Sequence, residues 1–298
     1  MKDRRKILSL GYLGLAIVVA IVFVAIYGID RRPAPTPAPA LSAAKTAEPP
    51  PASTAWPDYS SNGFGFVAPA GPDGALIGSG YELITRTFAV IGPDVADADK
   101  RFAGNNLACQ SCHLDAGTKR TALPLVGIFG TYPKYSARSG RVISLAERID
   151  ECMTRSMNGR ALPPSSPEMA GFLAYLRFLS GPEPVRQSPA PSPPEQANVA
   201  RGEEVYGSIC AACHQPNGMG LRWGSAADGR GYRFPPLWGP DSFNDGAGMD
   251  RYERAVGFIL HNMPRGVDPA HPQLTLQQAW DVTAFLQTKP RPHYEPVR

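Results

Sequence analysis

The sequence has few cysteines, no excess of either charge over most of its length, and no run of alternating apolar and polar residues of the kind that predicts a half-buried strand. Five cysteines in 298 residues are too few for a small disulfide-stapled domain. The formal charge of +4 belongs to the first 32 residues, because the other 266 residues hold 24 basic and 24 acidic side chains. Without an extended basic face, we expect no nucleic-acid partner.

The longest uncharged segment, residues 7–29, is rich in Ile, Val, Leu and Ala. At about 1.5 Å per residue, a helix of this length crosses the roughly 30 Å apolar core of a bilayer. The basic tip at residues 1–6 favours a cytoplasmic N-terminus. We therefore expect a single-pass anchor in the cell inner membrane, with the rest of the chain in the periplasm. A cleaved signal peptide is the alternative, although its apolar part usually has about 7–15 residues.

Proline-rich segments divide the rest of the chain into two parts. Residues 30–55, rich in Pro and Ala, predict an extended spacer, and residues 182–196 predict a second linker. They delimit segments 56–181 and 197–298, which both have normal domain lengths. Helical runs are predicted at 81–88, 145–156, 168–179, 252–261 and 276–287, and residues 202–208 take the place of the first run in the second segment. The last run of each segment has apolar residues with a period of 3.6. Because motifs and helices follow the same order in both segments, we predict an all-α fold with two copies of one small unit.

The motif Cys-x-x-Cys-His occurs once in each segment, as Cys109, Cys112 and His113 and as Cys210, Cys213 and His214. Two cysteines at this spacing form thioethers to the vinyl groups of a haem, and the adjacent histidine supplies an axial nitrogen to the iron. A zinc site would need a fourth ligand at regular spacing in each copy, and thiol redox pairs normally belong to an α/β context. We therefore predict two covalently bound haems c.

The iron of the second haem either has a further axial ligand or keeps that coordination position open. Met263 follows a predicted helix 49 residues after His214, which is where small c-type cytochromes place a thioether. We therefore prefer Met263 as this ligand, and we expect the other histidines of the segment, His293 included, at the surface. The competing ligands are Met219, Met249, His261 and His271.

In the first segment the axial ligand is open between Met157, which aligns with Met263, and Cys152, which stands outside the haem motifs. Arg148 precedes Cys152 by four residues, so both lie on one face of a predicted helix. A nearby guanidinium favours a thiolate, which is both a haem ligand and a nucleophile. Residues 134–160 carry six basic and three acidic side chains, and they are a candidate anion site.

Several motifs together resemble one known family. In the first segment they are Cys109-Gln-Ser-Cys112-His113, Tyr132-Pro-Lys-Tyr, Gly140-Arg-Val, Glu147-Arg-Ile-Asp-Glu-Cys152 and Ser156-Met-Asn-Gly. In the second they are Cys210-Ala-Ala-Cys213-His214, Pro235-Pro-Leu-Trp-Gly, Gly246-Ala-Gly-Met249, Asn262-Met-Pro and Trp280-Asp-Val-Thr-Ala-Phe. This arrangement, over roughly residues 75–290, resembles the dihaem thiosulfate dehydrogenase family, and the stretch through Cys152 is its most specific part.

The resemblance implies two tandem class I cytochrome c-like domains and two pairs of axial ligands. The pairs are His113 with Cys152 on an active-site haem, and His214 with Met263 on an electron-transfer haem. Some members of the family carry a lysine before the methionine. Because this chain has Asn262 there, we expect no exchange between lysine and methionine as the ligand.

The resemblance further implies that basic side chains near the cysteine-ligated haem, here Arg138, Arg141 and Arg148, bind a sulfur oxyanion. The expected activity interconverts two thiosulfates and tetrathionate, as a thiosulfate dehydrogenase or in reverse as a tetrathionate reductase. Cys152 is the expected nucleophile, and a small soluble cytochrome or similar protein is the expected electron acceptor. One alternative is a non-enzymatic, membrane-anchored dihaem electron carrier, which would leave Cys152 and its basic neighbours without a role. The other is an enzyme that oxidises a different sulfur compound at the same site.

Overall fold

The structure is a computed structural model that describes residues 56–57, 65–184, 190–224 and 229–295, all within one compact unit. The predicted basic tip at 1–6, the anchor at 7–29 and the spacer at 30–55 lie outside the described residues, as do residues 185–189 of the second linker. Within the described ranges, no helix has the length and apolar character needed to cross a bilayer. The domain boundaries at 56–181, 182–196 and 197–298 stay predictions.

Helices make up most of the regular structure. In chain order they are α1 (Pro72–Thr85), α2 (Thr87–Ile91), α3 (Leu145–Arg155), α4 (Pro167–Phe178), α5 (Val199–Val205), α6 (Ala211–His214), α7 (Tyr252–Asn262) and α8 (Leu276–Gln287). Four of the predicted helices are found within a few residues of their predicted ends. The predicted helix at 81–88 is instead the end of a longer helix that starts at Pro72 and breaks at Arg86.

The all-α prediction is correct only in part, because the described residues contain two short antiparallel hairpins. The rest of their regular structure is helical. Strand β1 (Lys134–Ser136) pairs with β2 (Arg141–Ile143), and β3 (Leu221–Arg222) pairs with β4 (Tyr232–Phe234). Strands of two or three residues are too short to show an alternating pattern, which is why the sequence did not reveal them. Gly140 supports the first turn, because its φ of 66° is readily adopted only by glycine.

The described residues form two halves, a first half (65–184) and a second half (190–224 and 229–295), built on the same helix crossing. In the first half α1 crosses α4 so closely that a Cβ on Gly80 would lie 2.1 Å from the carbonyl oxygen of Gly171. In the second half α5 crosses α8, and a Cβ on Gly202 would lie 2.0 Å from the carbonyl oxygen of Asp281. The repeated order of motifs in the sequence therefore corresponds to a repeated packing unit.

Polar contacts join the two halves beside α3. The backbone N–H of Asn106 donates to Asp241 Oδ1 at 2.8 Å, and Asn244 Nδ2 donates to the carbonyl of Thr154 at 2.9 Å. Asn244 is 1% exposed, so its amide is buried between the halves. The bond from Asn244 holds the loop before α7 against the C-terminal part of α3.

Candidate active site

The first haem motif is fixed to the junction of α1 and α2. The backbone N–H of Cys109 donates to Thr87 Oγ1 at 3.0 Å, and Gln110 Nε2 donates to the carbonyl of Thr85 at 2.8 Å. His113 donates from Nδ1 to the carbonyl of Leu123. This bond leaves Nε2 as the acceptor nitrogen, which is the form of imidazole that binds a metal.

The second haem motif is oriented in the same way. Cys210 ends a π-helical turn, and α6 carries Cys213 and His214. His214 Nδ1 lies 2.8 Å from the carbonyl oxygen of Pro235, to which it donates, and burial lowers the pKa of His214, so the ring is neutral. In both halves a backbone carbonyl therefore selects the tautomer whose Nε2 can ligate iron.

The cysteines of both motifs have the chemistry that a covalent haem requires. All five cysteines of the chain are free. Burial raises the pKa of Cys109 and Cys112 to about 12 and that of Cys210 to about 11, so these groups are neutral thiols. Two cysteine sulfurs and the adjacent imidazole at this spacing fit a haem c in each half. Across the described residues, no three or more His, Cys, Asp or Glu side chains cluster in a way that could hold a metal ion.

Cys152 lies on α3 between a guanidinium and an imidazole. Arg148 Nη1 is 3.2 Å from Cys152 Sγ, and the His113 ring is within hydrogen-bonding reach of the same sulfur. Burial alone would raise the pKa of Cys152, but the charge of Arg148 opposes it, and the pKa lies at about 7, below the ordinary value for a thiol. The structure thus brings together three of the predicted site residues, Cys152, Arg148 and His113.

Met157, the alternative to Cys152, is 3% exposed and packs in the apolar core of the first half. Its backbone N–H donates to the carbonyl of Cys152 at 3.0 Å, so the helix ends between the two residues. No described contact joins its sulfur to His113. The surroundings of Met157 are those of a core residue.

Arg138, in the turn between β1 and β2, belongs to the same site as Arg148. Its pKa is lowered by burial first, and then by the nearby charges of Arg155, Arg148 and Arg251. Glu151, which lies 3.5 Å from Arg148 Nη1, is the acidic side chain that opposes this effect. The site therefore has a clear excess of positive charge.

Two arginines of the second half complete this group, and neither was predicted from the sequence. Arg251 directly precedes α7, and Arg254 lies in its first turn. The pKa of Arg254 is lowered by burial first and then by Arg251 and Arg148, and the charge of Cys152 opposes this. These contacts span about a hundred residues between the halves, and a pair of arginines at a helix start is not a specific signal.

Most of these guanidinium groups have no acid to neutralise them. Among the described residues, Arg138, Arg251 and Arg254 form no ion pair with a carboxylate. Arg155 stacks over the ring of Tyr294 at 4.0 Å, and its buried Nε has no acceptor in the described parts of the chain. We use "arginine cluster" for Arg138, Arg148, Arg155, Arg251 and Arg254. Within this cluster and the described residues, only Arg148 pairs with a carboxylate, that of Glu151. Neighbouring guanidinium groups with so little opposing charge suit an oxyanion.

Arg141, also predicted for this site, is placed elsewhere. Its Nη1 lies 2.6 Å from Glu147 Oε1, and both side chains are more than two-fifths exposed. Glu147 also accepts the backbone N–H of Ser144 at 2.7 Å as part of the capping box that starts α3. The guanidinium of Arg141 therefore supports a helix start and is not among the charges that act on Cys152.

Met263 follows α7 and lies in a small apolar cluster between the halves. The cluster contains Leu114 and Ala122 of the first half with Phe258 and Met249 of the second. Met219, a competing ligand, is 40% exposed. His271 and His293 are exposed as expected, and each donates to an aspartate, whereas His261 is half-buried with Nδ1 3.2 Å from the carbonyl oxygen of Pro269.

Comparison with protein families assigns both halves. Residues 99–185 match the family described as SoxA/TsdA, cytochrome c domain, and residues 199–289 match the family described as Cytochrome c. The prediction of two tandem haem domains is thereby confirmed, and with it the prediction of two haems c.

Similar proteins and one solved structure point to one enzyme. The chain is 43% identical to a thiosulfate dehydrogenase of Allochromatium vinosum over 237 residues, covering 75% of this chain and 82% of that protein. It is 35% identical to a thiosulfate dehydrogenase of Thiomonas intermedia over 228 residues, covering 74% of this chain and 70% of that protein. The solved thiosulfate dehydrogenase (TsdBA) from Marichromatium purpuratum is 34% identical with a TM-score of 0.64, and the match covers 74% of this chain and 47% of that one.

Proposed function

Because the chain belongs to the thiosulfate dehydrogenase family, we propose that it joins two thiosulfates into tetrathionate and divides the work between its two cytochrome c domains. Thiosulfate is oxidised, and each substrate gives up one electron as the two sulfane sulfurs become bonded. The two haems, when bound, supply the two one-electron acceptors. The side chains of this protein ligate the irons, provide the nucleophile and bind the two anions.

We propose His113 and Cys152 as the axial ligands in the first half and His214 and Met263 in the second. Support comes from the carbonyls of Leu123 and Pro235, which fix both imidazoles in the tautomer that binds a metal. The position of Cys152 beside the His113 ring supports these two side chains as the residues that would hold one haem iron. The second half keeps a neutral thioether, which is suited to electron transfer.

The observation that carries the enzymatic assignment is the contact between Arg148 and Cys152. A guanidinium at 3.2 Å stabilises the thiolate, and a thiolate is the reactive form of cysteine. We propose that the Cys152 sulfur bonds to the sulfane sulfur of one thiosulfate as two electrons leave. The sulfane sulfur of a second thiosulfate then attacks that bound sulfane sulfur. The bond to Cys152 breaks, tetrathionate departs and the thiolate is restored, with no net change in protons.

The positive charge of the arginine cluster offsets the repulsion between the two thiosulfate dianions in this reaction. Two unit charges of the same sign 4 Å apart repel by about 4 kcal/mol at the effective dielectric typical of a protein surface, and each thiosulfate carries two. Arg138 and Arg148 approach from the first half, and Arg251 and Arg254 approach from the second. We propose that the two groups of arginines hold the two dianions close together, which a site with one arginine would not do.

A non-enzymatic dihaem carrier needs neither a thiolate nor a cluster of unneutralised arginines. The test is the thiosulfate-dependent reduction of an artificial acceptor by the haem-loaded wild type and by Cys152→Ala. We expect the wild type to turn over and the variant to lose at least about a thousandfold in kcat, as is usual when a nucleophile is removed. Reduction of both proteins by dithionite controls for haem loading. Absence of turnover in the wild type would refute the enzymatic assignment, and full activity of Cys152→Ala would refute the role of this cysteine.

We further propose that residues 7–29 anchor the protein in the inner membrane, with both domains in the periplasm and a small soluble cytochrome as the electron acceptor. The uncharged length of this segment and the basic tip before it support the anchor. Export suits covalent haem attachment. Membrane fractionation tests the anchor: the intact chain is expected in the membrane fraction until detergent is added, and its release without detergent would count against a retained span.

A further inference from the structure

A reciprocal pair of hydrogen bonds joins the two halves immediately before Met263. Thr121 Oγ1 donates to Asn262 Oδ1 at 2.7 Å, and Asn262 Nδ2 donates back to the carbonyl of Thr121 at 3.1 Å. The same Nδ2 also donates to the carbonyl of Phe258, one turn earlier in α7, at 2.9 Å. Asn262 is 3% exposed, so these bonds satisfy an amide that water does not reach.

Both ends of this pair lie next to a proposed iron ligand. Asn262 is the residue before Met263, so it fixes the backbone from which that thioether projects. Thr121 lies two residues before Leu123, whose carbonyl accepts the Nδ1 proton of His113. Residues 114–123 form one loop of the first half. This loop therefore orients His113, and it also supports the loop of the second half that carries Met263.

Further contacts around Thr121 and Asn262 also attach the loop that carries Met263 to the first half. Met263 packs in the apolar cluster with Leu114 and Ala122, which come from that same loop. At the rim, Arg265 Nη2 lies 3.1 Å from Asp115 Oδ1, so the residue two positions after Met263 is also held by the first half. The loop that carries Met263 is thus attached to the first half on both sides of the methionine.

From this geometry we propose that Thr121 is a positioning residue for Met263, so that the first half determines how firmly the second haem keeps its methionine. The inference rests on the proposed ligation of the second iron by Met263. A thioether is neutral, so its retention on iron depends on how well its loop is held in place. Loss of the Thr121 hydroxyl would leave the buried Asn262 Oδ1 without its donor and would loosen this loop.

The experiment is a titration of the oxidised, haem-loaded full chain with imidazole, which competes with methionine for the iron, followed by optical spectroscopy. For Thr121→Val we expect the apparent Kd of the second haem for imidazole to fall about tenfold, which corresponds to the loss of one well-formed hydrogen bond. The reduction potential of the second haem should fall as well, because the thioether holds it high. The spectrum of the first haem should stay unchanged.

Two matched variants separate positioning from general destabilisation. Thr121→Ser keeps the hydroxyl and should behave as the wild type. Thr131→Val removes a hydroxyl that donates only to the carbonyl of Ile128 within the first half, and it should also leave the titration unchanged. If Thr121→Val fails to load haem, Arg265→Gln tests the same loop at an exposed contact, and we expect a smaller change in the same direction.

An unchanged imidazole Kd and potential in Thr121→Val, with a methionine signature present in the wild type, would overturn the inference and leave the proposed ligands intact. A wild-type spectrum without methionine ligation would overturn the ligand assignment, and the inference with it. Equal spectral changes at both haems together with a lower melting temperature would show a purely structural role for Thr121, and this also contradicts the inference.

Discussion

Arg148 lies one helical turn before Cys152 on α3, and its guanidinium is 3.2 Å from the Cys152 sulfur. The pKa of Arg148 is raised, and the charge of Cys152 is the largest cause. The two side chains therefore stabilise each other in the ionised state inside a site where burial opposes a thiolate. In the proposed function, this pair supplies the reactive thiolate beside the first haem motif.

Removal of the Arg148 charge should impair catalysis strongly. For Arg148→Gln we expect kcat/KM for thiosulfate to fall by about tenfold to a hundredfold, the loss expected when a charge-assisted hydrogen bond is removed. The reason is that the variant loses both the stabilisation of the Cys152 thiolate and one guanidinium of the arginine cluster. Steady-state turnover with an artificial acceptor measures this ratio. Wild-type kcat/KM in Arg148→Gln would contradict the assignment.

Two controls make this prediction specific. Arg177→Gln changes an exposed arginine of α4, and we expect it to have no effect on turnover. Arg141→Gln breaks the pair with Glu147, and we expect kcat/KM to stay within about twofold, since exposed ion pairs contribute little. A loss in Arg141→Gln as large as that in Arg148→Gln would return Arg141 to the substrate site.

Arg254 should affect the binding of the second thiosulfate, because the Arg254 side chain approaches the site from the second half. We expect Arg254→Gln to raise the KM for thiosulfate by about tenfold while haem loading and dithionite reduction stay normal. Arg233→Gln is the matched control, since Arg233 is an exposed arginine of the same half that stacks near Trp223. An unchanged KM in Arg254→Gln would remove Arg254 from substrate binding.

Gly248 offers an independent approach to the same question. A Cβ at this position would lie 2.7 Å from Arg254 Nη1, so Gly248→Ala should displace the guanidinium without removing it. We expect a KM that changes in the same direction as in Arg254→Gln, by a smaller factor. Because the contact is with the flexible end of a side chain, the melting temperature should change little.

The parts of this site that are local in sequence could be predicted, and those that depend on the packing of the halves could not. Arg148 and Cys152 are four residues apart on one helix, so helical geometry alone brings them together. Arg251 and Arg254 reach the same site through the packing of the two halves, to which the bond from Asn244 to α3 contributes. No pattern in a single sequence reports such a contact.

Arg141 shows a different limit. The resemblance to the family placed it in the site, and the local capping box gave it another partner. Glu147 accepts the N–H of Ser144 at the start of α3, and its carboxylate then pairs with the exposed guanidinium of Arg141. The motifs pointed to a segment that contains both arginines, and in the structure Arg148 contacts Cys152 whereas Arg141 pairs with Glu147.

The stability of the second half should depend on pH through Asp281. Its carboxylate is 3% exposed and accepts from Arg201 Nε at 2.7 Å, from the N–H of Asn198 at 2.8 Å and from Gln277 Nε2 at 2.9 Å. Burial alone would raise the pKa of Asp281, but these donors outweigh it and the pKa is lowered. The folded state therefore binds the proton less tightly than the unfolded state does.

The difference between the folded and unfolded pKa of Asp281 sets the direction in which stability changes with pH. The stabilisation by ionised Asp281 is complete above its unfolded pKa of about 3.9 and is lost as the pH falls through the lower folded pKa. Asp281→Asn should cost about 1–3 kcal/mol at pH 7, and its deficit in melting temperature should narrow below about pH 4. Asp94→Asn, at an exposed position, is the control. A deficit that stays the same from pH 7 to pH 3 would contradict this account.

The sequence left the first axial sulfur open between Cys152 and Met157, and the surroundings of the two residues predict the outcome. Met157→Leu conserves volume in a packed core, so it should cost less than about 1.5 kcal/mol in stability and leave the electron paramagnetic resonance spectrum of the first haem unchanged. Cys152→Ser should change that spectrum while leaving the signal of the second haem intact. If Met157→Leu altered the ligand field of the first haem and Cys152→Ser did not, Met157 would be the ligand. Cys152 would then be a nucleophile beside the iron instead of a group bound to it, and substrate would not have to displace a ligand before reacting.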